Sequence, residues 1–309
     1  MSDQSGGCRA ERAASGAAPA WAPVVGFGLF IIGYAGTLVY VDSTDAADRL
    51  DGVVQFEMWV ALLSALGGFA LVAAMFFVIW LGRAVRLGDR VSRRSMATWL
   101  GVVLLVLAVV FTGLFAGASG AEASIDKDLA VQTRPIVILV GLCAIPGLVG
   151  FLALRSIAAD DASWAESDRC RVRLVMAVRS ELRRLLATFG AFLTLLVITT
   201  GMRRRALLAF DPDLSVPPEQ VLLYGLLFAV LLGAFYGLAT TAIDARAQRM
   251  LDEFAPLPGP TDPTLSEQLQ RRSDISTLVG SGGSWRSFET TVVIAAPLLT
   301  ALIGIATSA

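Results

Sequence analysis

Carboxylates and hydroxyls are the groups this 309-residue chain can bring to chemistry, because histidine is absent and only three cysteines occur. Without imidazole the chain lacks the commonest metal ligand and the side chain best suited to proton transfer near neutral pH. Asp42, Asp45 and Asp48, and the pair Asp160-Asp161, fall where apolar runs end. Carboxylates there could serve a transferase working at the level of lipid headgroups, but their spacing matches no catalytic motif. The apolar runs hold no HExxH, no aspartate pair and no serine with a histidine partner, so intramembrane proteolysis has no centre. Ser64 ahead of Gly67-Gly68, and the pairs Thr199-Thr200 and Thr240-Thr241, read as hydroxyls bonded to helix backbone. Cys8, Cys143 and Cys170 lie in a polar tail, an apolar run and an Arg-rich segment, which predicts neither a disulfide framework nor a metal site. Gly280-Ser281-Gly282-Gly283-Ser284 looks like a phosphate cradle, yet it lacks the following Lys-Ser/Thr and the preceding strand of a P-loop. No catalytic residue, metal or cofactor is expected, and an enzyme is the least favoured class.

Arginine is the other concentrated functional group, Lys127 being the only lysine. Arg169, Arg171, Arg173, Arg179, Arg183 and Arg184 interleave with Trp164, Leu174, Val178 and Leu182, the pattern of an amphipathic helix whose basic face can meet anionic headgroups or an acidic partner. Arg203, Arg204 and Arg205 follow the next apolar run directly and read as long stems snorkelling to phosphates on the opposite leaflet. With little aromatic interleaving, neither cluster resembles a nucleic-acid surface. The partners expected are membrane lipids, a soluble cytoplasmic protein and a second copy of the chain.

The elements that must carry these groups follow from hydropathy. Hydrophobic residues make up 55% and charged residues 17% of the chain, which excludes an ordinary soluble domain. Seven apolar runs of about twenty residues, each able to cross about 30 Å of hydrocarbon, are read at Ala22 to Val41, Met58 to Leu81, Ala97 to Gly117, Pro135 to Leu154, Leu185 to Met202, Val221 to Ile243 and Phe288 to Ser308. The fold class expected is all-α, a polytopic transmembrane helical bundle. Residues 1–20, rich in Gly, Ala and Ser, predict a disordered cytoplasmic tail. Residues 21–309 predict one transmembrane domain with Arg-rich cytoplasmic helical extensions at 157–184 and 244–286. In the second extension Pro256, Pro258 and Pro260 break the helix, and Thr264 with Glu267 resembles a capping box that restarts it.

Placing the N-terminus in the cytoplasm puts nineteen of the twenty-five cationic residues inside. The positive-inside rule selects that orientation, with an external C-terminus, and the localisation expected is the plasma membrane of a bacterium. No Asp, Glu, Lys or Arg falls in the middle of a run, so ion-coupled transport lacks its usual device. Small residues are frequent instead. Gly26, Gly33 and Gly36 lie in the first run, and Gly233 and Gly237 form a GxxxG in the sixth, where backbones can approach closely. Pro146, between Gly141 and Gly147, predicts a kink. The function expected is a non-enzymatic scaffold, sensor or oligomeric effector. The alternative is a channel or permease for a neutral or weakly polar solute, lined by residues 141–150.

Overall fold

The computed structural model describes residues 21–44, 53–87, 98, 100–105, 108, 124–159, 168–212, 217–256, 265–279 and 284–306. The predicted tail at 1–20, Cys8, Asp45, Asp48, the Asp160-Asp161 pair, Thr264, residues 280–283 and most of the third apolar run lie outside the described residues. Seven helices carry the fold: α1 Ala22–Asp42, α2 Val54–Leu87, α3 Ser124–Ala159, α4 Asp168–Phe210, α5 Glu219–Phe254, α6 Leu265–Val279 and α7 Ser284–Ala306. Residues 100–105 are helical as well, and Val103 is wholly buried in the common core.

Five of these helices, α1 to α5, hold segments long and apolar enough to cross a membrane, and α7 holds a shorter apolar segment, Thr290–Gly304. The chain is therefore an all-α bundle of membrane-protein type. Helix lengths exceed what crossing requires. The 43 residues of α4 make a rod of about 64 Å at 1.5 Å per residue, against about 30 Å of hydrocarbon. The extension predicted before the fifth apolar run is continuous with the span it enters, because Leu174, Val178, Leu182, Leu185 and Phe189 keep one buried stripe across the boundary.

Side-chain contacts fix the directions of the helices. α4 sits centrally, against α2, α3, α5 and α7. Phe77 of α2 lies 5.3 Å, centroid to centroid, from Phe189 of α4, while Phe69 lies 6.4 Å from Phe192, so α2 and α4 are antiparallel. In α3 a Cβ on Gly147 would meet Phe189, and one on Gly150 would meet Leu185, so α3 also opposes α4. Consequently α2 and α3 are parallel, and the end of α2 and the start of α3 lie at opposite ends of the bundle. α5 is antiparallel to α4 and α7, and α7 runs parallel to α4 with Val293 beside Gly190.

Close approach replaces hydrophobic drive in such a bundle, since lipid tails are as apolar as leucine. The tightest crossing joins α1 to α2. A Cβ on Gly33 would stand 2.6 Å from the Gly67 carbonyl oxygen and 2.8 Å from the Gly68 Cα, so only glycine fits. Gly36 faces open space, and Gly26 makes ordinary contact with Met75. On α5, Gly233 meets Ile294 of α7 at 3.5 Å and Gly237 meets nothing within 4 Å. The close approach on α5 falls instead at Gly225, whose Cβ would lie 2.8 Å from the Pro297 carbonyl oxygen. Pro297 has no N–H, so α7 can bend there and bring that backbone in.

Candidate functional site at the arginine-rich end

Where α4 and α5 leave the apolar zone, each keeps one buried apolar stripe flanked by charged residues, several of which face a neighbouring helix. On α5 the stripe is Ile243, Ala247, Met250 and Leu251, all buried. Asp244, Asp252 and Glu253 flank it. On α4, Arg171 donates to Glu253 at 2.6 Å with its guanidinium carbon 5.9 Å from the Phe254 ring centroid, and Arg179 donates to Asp244. The two arginines stand eight residues apart and their partners nine apart. At 1.5 Å per residue these intervals are about 12 and 13.5 Å, so an antiparallel pair of helices brings both ion pairs into register.

Glu181 holds the next level. Its Oε1 lies 3.7 Å from Arg83 of α2 and 2.9 Å from Arg184, and the Glu181 and Arg83 side chains are only 13% and 10% exposed. Oε2 is buried with no hydrogen-bond partner among the described residues. A carboxylate withdrawn this far from water depends on its neighbouring charges, so Arg83 ties α2 to α4 while Arg184, on α4 itself, supports the same carboxylate. Farther out, Arg272 of α6 donates to Asp252 at 2.6 Å and to the Ala255 carbonyl at 3.0 Å. The carboxylates facing Arg171, Arg179 and Arg272 are 52, 54 and 65% exposed. Each of those three pairs therefore contributes well under about 1 kcal/mol, and their role is registration more than stability.

The sequence-predicted arginines thus divide. Arg171, Arg179 and Arg184 are tied within the molecule, and Arg173 is half-buried with interactions of its own. Arg183 is exposed and makes no ion pair among the described residues. Arg169 belongs to α4, and its side chain lies outside the described set. Arg203, Arg204 and Arg205 are half-buried, within α4 rather than beyond it, and all three have interactions. Arg205 donates to the Gly304 carbonyl at 3.3 Å, where the last carbonyls of α7 lack helical partners. A guanidinium at a helix C-terminus also meets the negative end of its dipole. The triplet at this bundle end therefore serves α7 at least in part.

No family model matches this chain, and no curated protein or solved structure is similar to it.

Sequence reasoning counted Arg83, Arg249, Arg271 and Arg272 among the nineteen cationic residues of this end without naming them as site residues, and missed Glu181, Asp244, Asp252 and Glu253 as partners. The matched intervals of opposite charge on the segments that became α4 and α5 were the available signal. Arg249 and Arg271 are exposed, like Arg183, without an ion pair among the described residues. Cys170, beside these arginines, is disulfide-bonded, which corrects the expectation that no cysteine pairs; Cys143 is free and buried.

The hydroxyls behave largely as expected. Thr199, Thr200, Thr240 and Thr241 donate to the carbonyls of Leu195, Leu196, Tyr236 and Leu238 at 2.8 to 3.2 Å. Ser64 differs, being fully buried with Oγ unpartnered among the described residues. The face of α3 named as a solute path is filled: Phe189 and Phe77 occupy the space above Gly147, Leu185 that above Gly150, and Leu148, Phe151 and Leu152 are wholly buried.

Proposed function

We propose that this chain is a non-enzymatic integral membrane scaffold of seven crossings, whose arginine-rich end forms a preassembled cytoplasmic platform for an anionic surface. Five helices of sufficient length, and α7 lying beside the apolar part of α4, supply six crossings. The seventh is supported by the parallel course of α2 and α3, which sets the end of one and the start of the next at opposite ends of the bundle. The apolar run Ala97 to Gly117 lies between them, and its described part is helical with Val103 buried. Alternation through seven crossings puts the start of α1 at the arginine-rich end and the end of α7 at the other, and arginine bias makes the first cytoplasmic.

One observation carries the platform. Ion pairs join α2, α4, α5 and α6 at a single end and consume Arg83, Arg171, Arg179, Arg184 and Arg272, while Arg183, Arg249 and Arg271 stay exposed. Paired residues hold the frame; outward ones are available to headgroup phosphates, each worth about 1 kcal/mol near an anionic leaflet.

The test replaces Arg183, Arg249 and Arg271 together by Gln and compares thermal stability in nanodiscs of anionic and zwitterionic lipid. The native chain is expected to be more stable in the anionic discs and the triple variant to lose that preference. Equal preference in both proteins would reject the assignment.

A further inference from the structure

Among the described residues α6 is lightly anchored: its contacts are few and mainly with α4 and α5, and no side chain of it that is described is buried. Of its described apolar side chains, Ile275 rests on the core, whereas Leu269 is exposed. The helix has 15 residues, a length at which an isolated helix is marginal in water. Its internal support is slight: Gln270 donates to Asp274 at 3.2 Å, and Ser276 to the Ser273 carbonyl at 2.8 Å.

Against this, Arg272 makes two bonds to one place. Nη2 reaches Asp252 in the last turn of α5, and Nη1 reaches the carbonyl of Ala255, the residue that ends that helix. The planar guanidinium can satisfy both acceptors at once, which an ammonium cannot do in the same geometry. The carbonyl would otherwise be an orphan at a helix C-terminus, and Ala255 is nearly buried beneath the contact. One side chain, whose carboxylate partner is largely in water, therefore both ties α6 to α5 and caps α5.

We propose that α6 is a releasable strap, closed over the aqueous end of α5 by Arg272 and opened when ionic competition takes that arginine from Asp252. The exposed side of the pair makes it sensitive to salt, and among the described side chains of α6 none is buried. Opening frees Arg272 and bares the α5 terminus at Asp252 to Ala255, which changes the charge displayed by the platform without disturbing the Arg171 and Arg179 pairs. The strap goes beyond the platform function and does not depend on what that platform binds.

Hydrogen exchange of the full chain in nanodiscs tests the strap. Closed α6 amides are expected to show measurable protection, falling several-fold in Arg272→Ala, the scale of losing a largely exposed ion pair together with one carbonyl bond. Raising sodium chloride to about 0.5 M, where the screening length is only a few ångströms, should lower protection of the native α6 in the same sense. Ser266→Ala, exposed on the same helix and outside the platform, should not lower it. Amides of α4 and α5 up to Met250 should keep their protection throughout. Unprotected α6 in the native chain, no change in Arg272→Ala, or loss spreading equally through α4 and α5 would each overturn the strap. A strap that responds as expected while lipid preference is absent would reject the platform alone.

Discussion

Alanine at Gly33 is the sharpest perturbation the bundle offers, because backbone rather than side chain would have to move. The added methyl would lie 2.6, 2.8 and 2.9 Å from the Gly67 oxygen, the Gly68 Cα and the Gly67 carbonyl carbon. Ordinary carbon contacts are about 3.5 to 4.0 Å, so α1 must withdraw from α2 by roughly 0.6 to 1 Å. Gaps of that size forfeit a quarter to a half of each dispersion contact. Overpacking of this kind costs about 1 to 3 kcal/mol, and the upper half of that range applies because neither partner has a rotamer to change. Gly36→Ala is the matched control, since it faces open space on the same helix and should be neutral or mildly stabilising through helix propensity. Reversible unfolding in mixed detergent micelles, followed by tryptophan fluorescence, gives both free energies on one scale. If Gly33→Ala proved as benign as Gly36→Ala, the close approach of α1 and α2 would be refuted.

Three further outcomes are expected. Glu181→Ala leaves Arg83 withdrawn from water without its carboxylate and should destabilise by about 2 to 4 kcal/mol, somewhat under the fully buried case; Glu181→Gln should cost less, and equal melting of native and Ala variants in detergent would count against the pairing. Arg205→Ala should speed amide exchange in the last turn of α7 by several-fold, the effect of about 1 kcal/mol at a helix end, and unchanged exchange would show that the bond to Gly304 contributes nothing. Phe189→Ala removes the ring that touches Phe77, Phe151 and Phe192 and should cost about 3 to 5 kcal/mol, read by the same micelle titration; a loss below about 1 kcal/mol would mean the aromatic core is not close-packed.

Apolar runs were readable because lipid imposes a length on them, and α1, α2, α3, α4 and α5 contain the runs read at 22, 58, 135, 185 and 221. The reach of the helices beyond those runs was only partly legible. Asp168 to Arg184 showed its stripe, but the start of α3 at Ser124, before Pro135, carries no comparable apolar signal. Partnership was least legible. Arg171 and Glu253 are 82 residues apart, and Arg205 and Gly304 are 99 apart, so local spacing says that arginines cluster without saying what they touch. The triplet 203–205 reads in sequence as a lipid contact because nothing nearby reveals α7 beside it. Glycine spacing misleads for the same reason: Gly233 and Gly237 share a helix face in sequence, yet the neighbour that decides which glycine matters arrives from residues 294 to 301, where the backbone of Pro297 meets Gly225 instead.

α4 contains no proline and continues unbroken from Asp168 to Phe210. With no proline inside it, the helix lacks the commonest cause of a kink, so the segment that carries the Arg171 ion pair and the segment at Arg205 that meets the end of α7 belong to one continuous element.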